Sequence, residues 1–521
     1  MAELAPRLLK LATARPFDLW RYQEVLPICQ ERPTISMGEG GTPLIHAENL
    51  GLMLGLPHLF VKDERQGPTA SFKDRQAAVT LAILKEAEKT EAVVASTGNV
   101  AIAFSAYGAR GGIKIWAFLT SRVPPTKMRE IALYGTQVVK VTSTYDRAKI
   151  LAAEFAERRG LYLDRGVRSM AAVDAMKTIA YELAEQFGAG AGGMLPMSTT
   201  GWKAPDWYFQ AVSGGIGPVG VEKGFRELQQ AGLIEHTPAL GIIQAAGCSP
   251  MVRAWKAGSE IAKPVEDPTT YISTLSTGDP GRTYQLLRER MMAGNGGVFE
   301  SVTDEEAFSA MHLLAKMEGL SVEPAAAVAF AGVIKLAQAG MLERDQTIVV
   351  NCSGHTQPVE EELLGEHWAT EIDLGAEQQP AAWPQEGLLS ALTHLDQQRT
   401  SHVLIVDDHA DARRLIRRIL QAQGEFTIHE VNSGREALAY SRQHLPDLII
   451  LDLMMPEMDG FDVLEELRSQ PVTSQIPVIV VSAKELTAEE KQKLQGQISQ
   501  LMMKGDFLNQ DLIEEIGRVL E

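Results

Sequence analysis

Cysteine is nearly absent from this sequence. Only Cys29, Cys248 and Cys352 occur among 521 residues, far apart and without a Cys-x-x-Cys pair. That offers neither a disulfide framework nor a zinc site, and it points to a reducing compartment, the cytoplasm. Aromatic residues are few, at 6%, while the apolar share of 45% is that of soluble globular material. No apolar stretch reaches the length needed to cross a bilayer, so no membrane partner is expected. The N-terminal run MAELAPRLLKLATARP breaks its short apolar stretch with charge, unlike a secretory signal. Positive charge is in deficit too, with a net charge of −18. Residues 1–355 carry −1, residues 356–400 carry −8 and residues 401–521 carry −9. The acid thus lies in a connector and a C-terminal part. Nothing forms a basic face for a phosphate backbone, which argues against nucleic acid as a partner.

What is present is a rhythm. From about residue 90, β-branched runs alternate with helical patterns: AVVAS, VAIAFSAYGAR, IKIWAFL, TKMREIALYG, QVVKV and YDRAKILAAEFAERRG. It continues through WYFQAV, SGGIG, GFRELQQAG and LGIIQAAG, and ends near QTIVVNCSGH. Alternation of this kind predicts α/β architecture, parallel sheets with helices on their faces. Residues from about 358 to 400 are acidic, contain glutamine and proline and show no sustained period, as in a linker. A short helix near LLSALTHL fits within it. After Ser401 a second βα series begins: HVLIVDD, ARRLIRRILQAQG, FTIHEV, REALAYSRQH, DLIILD and IPVIVVSA.

In open α/β folds, ligands collect where strands end and helices begin. The stretch GPTASFKDRQ places Lys73 at such a junction, beside Phe72 and before Asp74. A lysine there fits a solvated first turn. It also fits an amine held in a walled pocket, able to condense with a cofactor aldehyde. Ser96, Thr97 and Gly98 end AVVAS ahead of Asn99, a nest of N–H and hydroxyl groups suited to a carboxylate. Ser213, Gly214, Gly215, Ile216 and Gly217 end WYFQAV, a cradle suited to a phosphate, although a plain tight turn has the same composition. Ser353 ends TIVVNC. Amine, carboxylate nest, phosphate nest and hydroxyl together fit pyridoxal phosphate. They fit a nicotinamide poorly, since no G-x-G-x-x-G follows the first strand. His355 reads as a structural hydrogen-bonder, and Cys248 and Cys352 as small buried apolar residues.

The segments GEGGTPL, PTASFKDR, ASTGN, SGGIG, IIQAAGCSPMVRA and EPAAA, in that order over about residues 15–358, resemble the threonine synthase family. These are pyridoxal phosphate enzymes with a tryptophan-synthase-β-like fold. The resemblance implies Lys73 as the Schiff-base lysine and catalytic residue, with Phe72 beside the cofactor. It implies Asn99 on the phenolic oxygen, residues 213–217 on the phosphate and Ser353 facing the pyridine nitrogen; the nest of Ser96, Thr97 and Gly98 is read as the substrate's place. A homodimer is implied as well. The chain departs from the pattern at Gly67 and Ala70, where the family has asparagine and glycine, and at Thr356, where it has glycine. It departs also at Ala172, where the family has the arginine that grips the phosphate of O-phosphohomoserine. Without that fork a dianionic substrate loses its strongest contact.

In the C-terminal part, Asp407 and Asp408 end one strand, Asp452 ends another, Ser482 ends a third, and Lys504 follows QLMM. Three carboxylates, a hydroxyl and a lysine at neighbouring strand ends make a site for a divalent cation and a phosphoryl group. This resembles the response-regulator receiver domain, a flavodoxin-like (βα)5 unit, over 401–521. The resemblance implies Asp452 as phosphoacceptor and Mg²⁺ on Asp407, Asp408, Asp452 and the Met454 carbonyl. Ser482 and Lys504 would meet the phosphate, and a sensor histidine kinase would donate it. Gly505 and Leu501 replace the usual proline and aromatic switch. The arginines at 413, 414, 417 and 418 read as the polar face of an amphipathic helix.

The expected protein has a catalytic unit at 1–358, an acidic linker at 359–400 and a receiver at 401–521. It is a pyridoxal-phosphate lyase acting on a small amino acid by β/γ-elimination or replacement. The alternatives are a serine or threonine deaminase, and a signalling protein that binds without turnover.

Overall fold

Apolar runs that are β-branched on both faces suit strands covered from two sides, and such runs form the centre of the first of two compact units, which divide near residue 360. The computed structural model describes residues 14–29, 35–96, 98–121, 123–195, 201–356, 401–423, 426–482, 486–494 and 496–503. In the first unit the strands are β1 (Leu44–His46), β2 (Leu59–Asp63), β3 (Glu91–Ser96), β4 (Lys114–Thr120) and β5 (Gln137–Val141). They continue with β6 (Tyr162–Leu163), β7 (Trp207–Ala211), β8 (Ala239–Ala245), β9 (Gly297–Val302) and β10 (Ile348–Cys352). A six-stranded sheet has the order β1-β2-β10-β7-β8-β9, and a four-stranded sheet the order β5-β4-β3-β6. Every pairing is parallel except that of β1 with β2. The expected parallel sheets are therefore present, and the larger one carries an antiparallel edge strand.

Helices cover both faces. Ala148, Ala152 and Ala156 of the helix Tyr145–Arg159 pack on Val93, Phe118 and Val141 of the small sheet. On its other face, Ala77, Ala78 and Leu81 of the helix Lys73–Glu86 join Ala103, Phe104 and Tyr107 of the helix Asn99–Gly111. Met176, Ile179 and Leu183 of the helix Met170–Gly188 join Phe60, Tyr208 and Val349 of the large sheet. Burying side chains of this size stabilises by roughly 1.5–3 kcal/mol each.

Sheet order fixes the site. Strand β10 lies between β2 and β7, so the loops after β2, β10 and β7 leave the same edge side by side. The helix Asn99–Gly111 begins just beyond β3 of the other sheet, across the cleft.

The second unit is one parallel sheet of β11 (Ser401–Val406), β12 (Phe426–Val431), β13 (Leu448–Asp452), β14 (Val478–Ser482) and β15 (Gln500–Met503). Its order is β12-β11-β13-β14-β15. Ile416, Ile419 and Leu420 of the helix Ala410–Gln423 cover one face. Leu438, Val463, Leu464 and Leu467 cover the other. Arg413 and Arg417 pair with Glu430, as a polar face should. The Arg418 side chain, Lys504, Gly505 and the expected helix within the connector lie outside the described residues.

Candidate active site

Lys73 is the first residue of its helix. The loop before it is closed by Asp74, whose carboxylate accepts from the Thr69 backbone N–H at 2.9 Å and the Thr69 hydroxyl at 2.6 Å. Burial pushes the Asp74 carboxyl up to about 7. This closure explains Gly67, because a Cβ there would stand 2.4 Å from Asp74 Oδ2. Ala70 sits in the left-handed region at φ 55°, where a side chain is strained by roughly 1–2 kcal/mol. The segment after β10 runs beside the loop: Phe72 N–H donates to the Ser353 carbonyl at 3.1 Å and His355 N–H to the Ala70 carbonyl at 2.9 Å.

The helix start is pinned by buried charges. Arg75 donates to Glu64 at 2.8 and 2.9 Å and to Glu182 at 2.5 and 2.8 Å. Lys62 reaches the same Glu182 at 2.8 Å. Although burial works against its charge, these two cations hold the Glu182 carboxyl down to about 2. Arg75, Lys62 and Glu182 are all shut away from solvent, where a cluster holds only if its charges balance.

The Lys73 amine lies 4.2 Å from the centre of the Phe72 ring. Its enclosure lowers its proton affinity to about 8, against the opposing pull of Asp164. A cleft of about 580 Å³ opens before it, lined by Phe72, Ser96, Asn99, Gln210, residues 211–218, Glu323 and Ser353 among others. Gly215 stands at φ 83° ahead of the helix Ile216–Gln230, a conformation suited to glycine. A Cβ on Gly217 would fall 2.4 Å from Gln210 Nε2. The cradle is thus bare backbone at a helix N-terminus, where the first N–H groups lack intrahelical acceptors. Ser213 shares a hydroxyl contact with Thr277 at 2.5 Å. The residues expected from sequence converge here, except that Thr97 lies outside the described residues and Gly98, at φ 147°, is not among the lining.

Three residues join the site to which the sequence assigned no role. Asn99 Nδ2 donates to Glu323 at 2.9 Å, while Asn99 Oδ1 accepts from Thr356 at 2.6 Å and from Lys127 at 3.1 Å. Lys127 also donates to the Thr356 hydroxyl at 2.7 Å, and burial lowers its proton affinity. Glu323 stands in the quoted EPAAA motif and Thr356 is a noted departure, so both carried a signal. Lys127 lies within TKMREIALYG, a helical pattern that gives it no distinguishing signal. Ala172 lies fully buried in the core, and Arg168 is exposed. Among the described residues that line the cleft there is no arginine.

In the second unit Asp407, Asp452 and Ser482 are buried at strand ends. Ligand atoms of Asp407, Asp408, His409 and Asp452 all lie within 4.8 Å of one another. Met454 N–H donates to Asp452 at 3.2 Å. His409, absent from the sequence reading, meets Asp408 at 2.7 Å. Cys248 and Cys352 are fully buried. No helix among the described residues is long and apolar enough to cross a membrane.

Comparison with known proteins agrees with this geometry. Residues 35–354 match the model of the family described as pyridoxal-phosphate dependent enzyme, and residues 403–516 match the response regulator receiver domain. The threonine synthase of Methanocaldococcus jannaschii is 34% identical over 342 residues, covering 66% of this chain and 80% of that protein. That of Methanosarcina acetivorans is 33% identical, covering 66% and 81%. A processed threonine deaminase from Solanum lycopersicum superposes with a TM-score of 0.51 at 21% identity, over 62% of this chain and 81% of that one. An L-serine ammonia-lyase from Rhizomucor miehei gives 0.52 at 20%, over 62% and 96%. At such identities the two structures share the fold alone.

The first unit is that of a pyridoxal-phosphate-dependent lyase. The chain belongs to the pyridoxal-phosphate-dependent enzymes, with threonine synthases as its relatives, and carries a receiver domain at its C-terminal end.

Proposed function

We propose that this chain eliminates or replaces a β- or γ-substituent of a small amino acid, and that its receiver regulates that activity. The convergence of an enclosed Lys73 amine, the bare cradle 213–217 and the Ser353 hydroxyl at the adjacent strands β2, β7 and β10 carries the reading. Lys73 would hold the cofactor's aldehyde carbon, residues 213–217 its phosphate, Asn99 its phenolic oxygen and Ser353 its ring nitrogen, with Phe72 alongside. When bound, pyridoxal phosphate supplies an electron sink for a carbanion at the substrate α-carbon. Lys73 Nζ, freed from the cofactor, is the base for the α-proton, its affinity already brought near neutrality by enclosure. Ser96, Thr97 and Gly98 orient the substrate carboxylate. Glu323, Thr356 and Lys127 hold Asn99 in place. The division into a catalytic unit at 1–358, a linker at 359–400 and a receiver at 401–521 belongs to this reading, as do a homodimer and a cytoplasmic setting.

In the receiver, Asp452 would accept a phosphoryl group from a histidine kinase. Mg²⁺ would be held by Asp407, Asp408, Asp452 and the Met454 carbonyl, and the phosphate would be met by Ser482 and Lys504.

A second reading, deamination of serine or threonine, is favoured by one observation. Ala172 is buried where relatives are expected to carry an arginine, and Arg168 points to solvent. Steady-state assays with O-phosphohomoserine, L-serine and L-threonine separate the two. Turnover of the first supports a threonine synthase reaction and turnover of the others a deaminase, while turnover of none contradicts both.

A further inference from the structure

Behind Lys73 lies a carboxylate that no step above uses. Asp164 directly follows β6, and its backbone N–H donates to the Val93 carbonyl of β3 at 3.0 Å. Its Oδ2 accepts from Gln76 Nε2 at 2.9 Å. Gln76 is three residues along the helix from Lys73, so the two side chains share a face. The other oxygen, Asp164 Oδ1, is shut off from solvent and has no hydrogen-bond partner among the described residues, and the same holds for Gln76 Oε1. Buried acceptors left short of donors are costly, unless a cation visits them.

The groups facing Asp164 narrow the choice of cation. Tyr145, on the helix Tyr145–Arg159, spends its hydroxyl on the Ala95 carbonyl at 3.2 Å. Tyr162, on β6, meets the Ser169 hydroxyl at 3.2 Å. Burial raises the proton affinity of both, Tyr162 to about 12, so both stay neutral. Arg165 is exposed. Burial lifts the Asp164 carboxyl to about 6 against the opposing pull of Gln76, of Lys73 and of the Gly166 backbone N–H, and Lys73 is the cation among the described residues whose charge acts on it.

We propose that Asp164 is a positioning residue for catalysis: it receives the Lys73 ammonium when that side chain is free of the cofactor, with Gln76 fixing its orientation. The inference rests on the reading of Lys73 given above. The proton taken from the substrate stays on Lys73 Nζ and leaves from it again. Asp164 contributes charge and transfers no proton. Between about pH 6 and pH 8 the carboxylate and the ammonium coexist. Below that range Asp164 protonates and the pair is lost; above it Lys73 is the neutral amine.

The test uses the full chain freed of cofactor, treated with formaldehyde and cyanoborohydride from pH 6 to 10. Methylation of Lys73 is followed by peptide mass spectrometry. In Asp164→Asn the midpoint for Lys73 moves down by about one pH unit, and methylation at pH 7 becomes several-fold faster. Asp164→Glu stays near the wild type. A purely structural role would change the melting temperature and leave the midpoint in place, and an unmoved midpoint overturns the proposal. Should Asp164→Asn not fold by circular dichroism, Gln76→Leu is read the same way, with a lowered midpoint expected and an unchanged one contradictory. Failure of pyridoxal phosphate to attach to wild-type Lys73 would instead sink the function proposed above, and is scored separately.

Discussion

Arg75 grips Glu182 through two guanidinium nitrogens, at 2.5 and 2.8 Å, in a region shut off from water. Because Arg75 is two residues beyond Lys73, this pair fixes the start of the helix that presents the amine. Replacing Arg75 with Met leaves Glu64 and Glu182 with only Lys62 to balance them. The expected loss is about 3–5 kcal/mol, read as a lowered urea midpoint of the first unit. A loss below 1 kcal/mol would show that the network is relaxed.

Ala70 occupies a backbone conformation that favours glycine. Ala70→Gly removes the steric strain and adds some unfolded-state entropy. The net gain is about 0.5–1 kcal/mol, measurable as a higher unfolding midpoint. A destabilised variant would mean that the Ala70 methyl packs more usefully than it strains.

Asp74 gives a pH dependence of known sign. Its folded proton affinity is raised to about 7 from an ordinary carboxylate value. The folded state therefore binds more protons than the unfolded state between about pH 4 and pH 7. The contribution of this group to stability rises as pH falls through 7 and is complete below 4. Asp74→Asn keeps an acceptor for Thr69 and removes that slope. Unfolding free energies of the two proteins at pH 5 and pH 8 should differ accordingly, and parallel curves would contradict the account.

For the receiver, a small phosphodonor with Mg²⁺ should give an acid-stable, base-labile phosphoryl group on Asp452. Asp452→Ala should abolish it, and Asp407→Ala should reduce it at least tenfold by loss of the cation. Labelling that survives Asp452→Ala would move the acceptor elsewhere.

The strand ends were legible because short β-branched runs close on glycine, serine or aspartate. That pattern led to Lys73, Asn99, the 213–217 cradle, Ser353 and Asp452. The three-residue strand β1 was not, since so short an edge has no period to detect. Lys127 and Asp164 were hidden for another reason. Each reaches the site from an element far away in sequence, and only the packing of the small sheet against the helix Lys73–Glu86 brings Asp164 to the lysine. Ala70 was visible as a departure from the family, but its meaning needed the backbone angle.

The most direct measurement is to incubate the full chain with pyridoxal phosphate, reduce with borohydride and map the modified peptide. The account predicts one adduct, on Lys73, that disappears in Lys73→Ala. An adduct on Lys62 or Lys127 instead, or none at all, would contradict it.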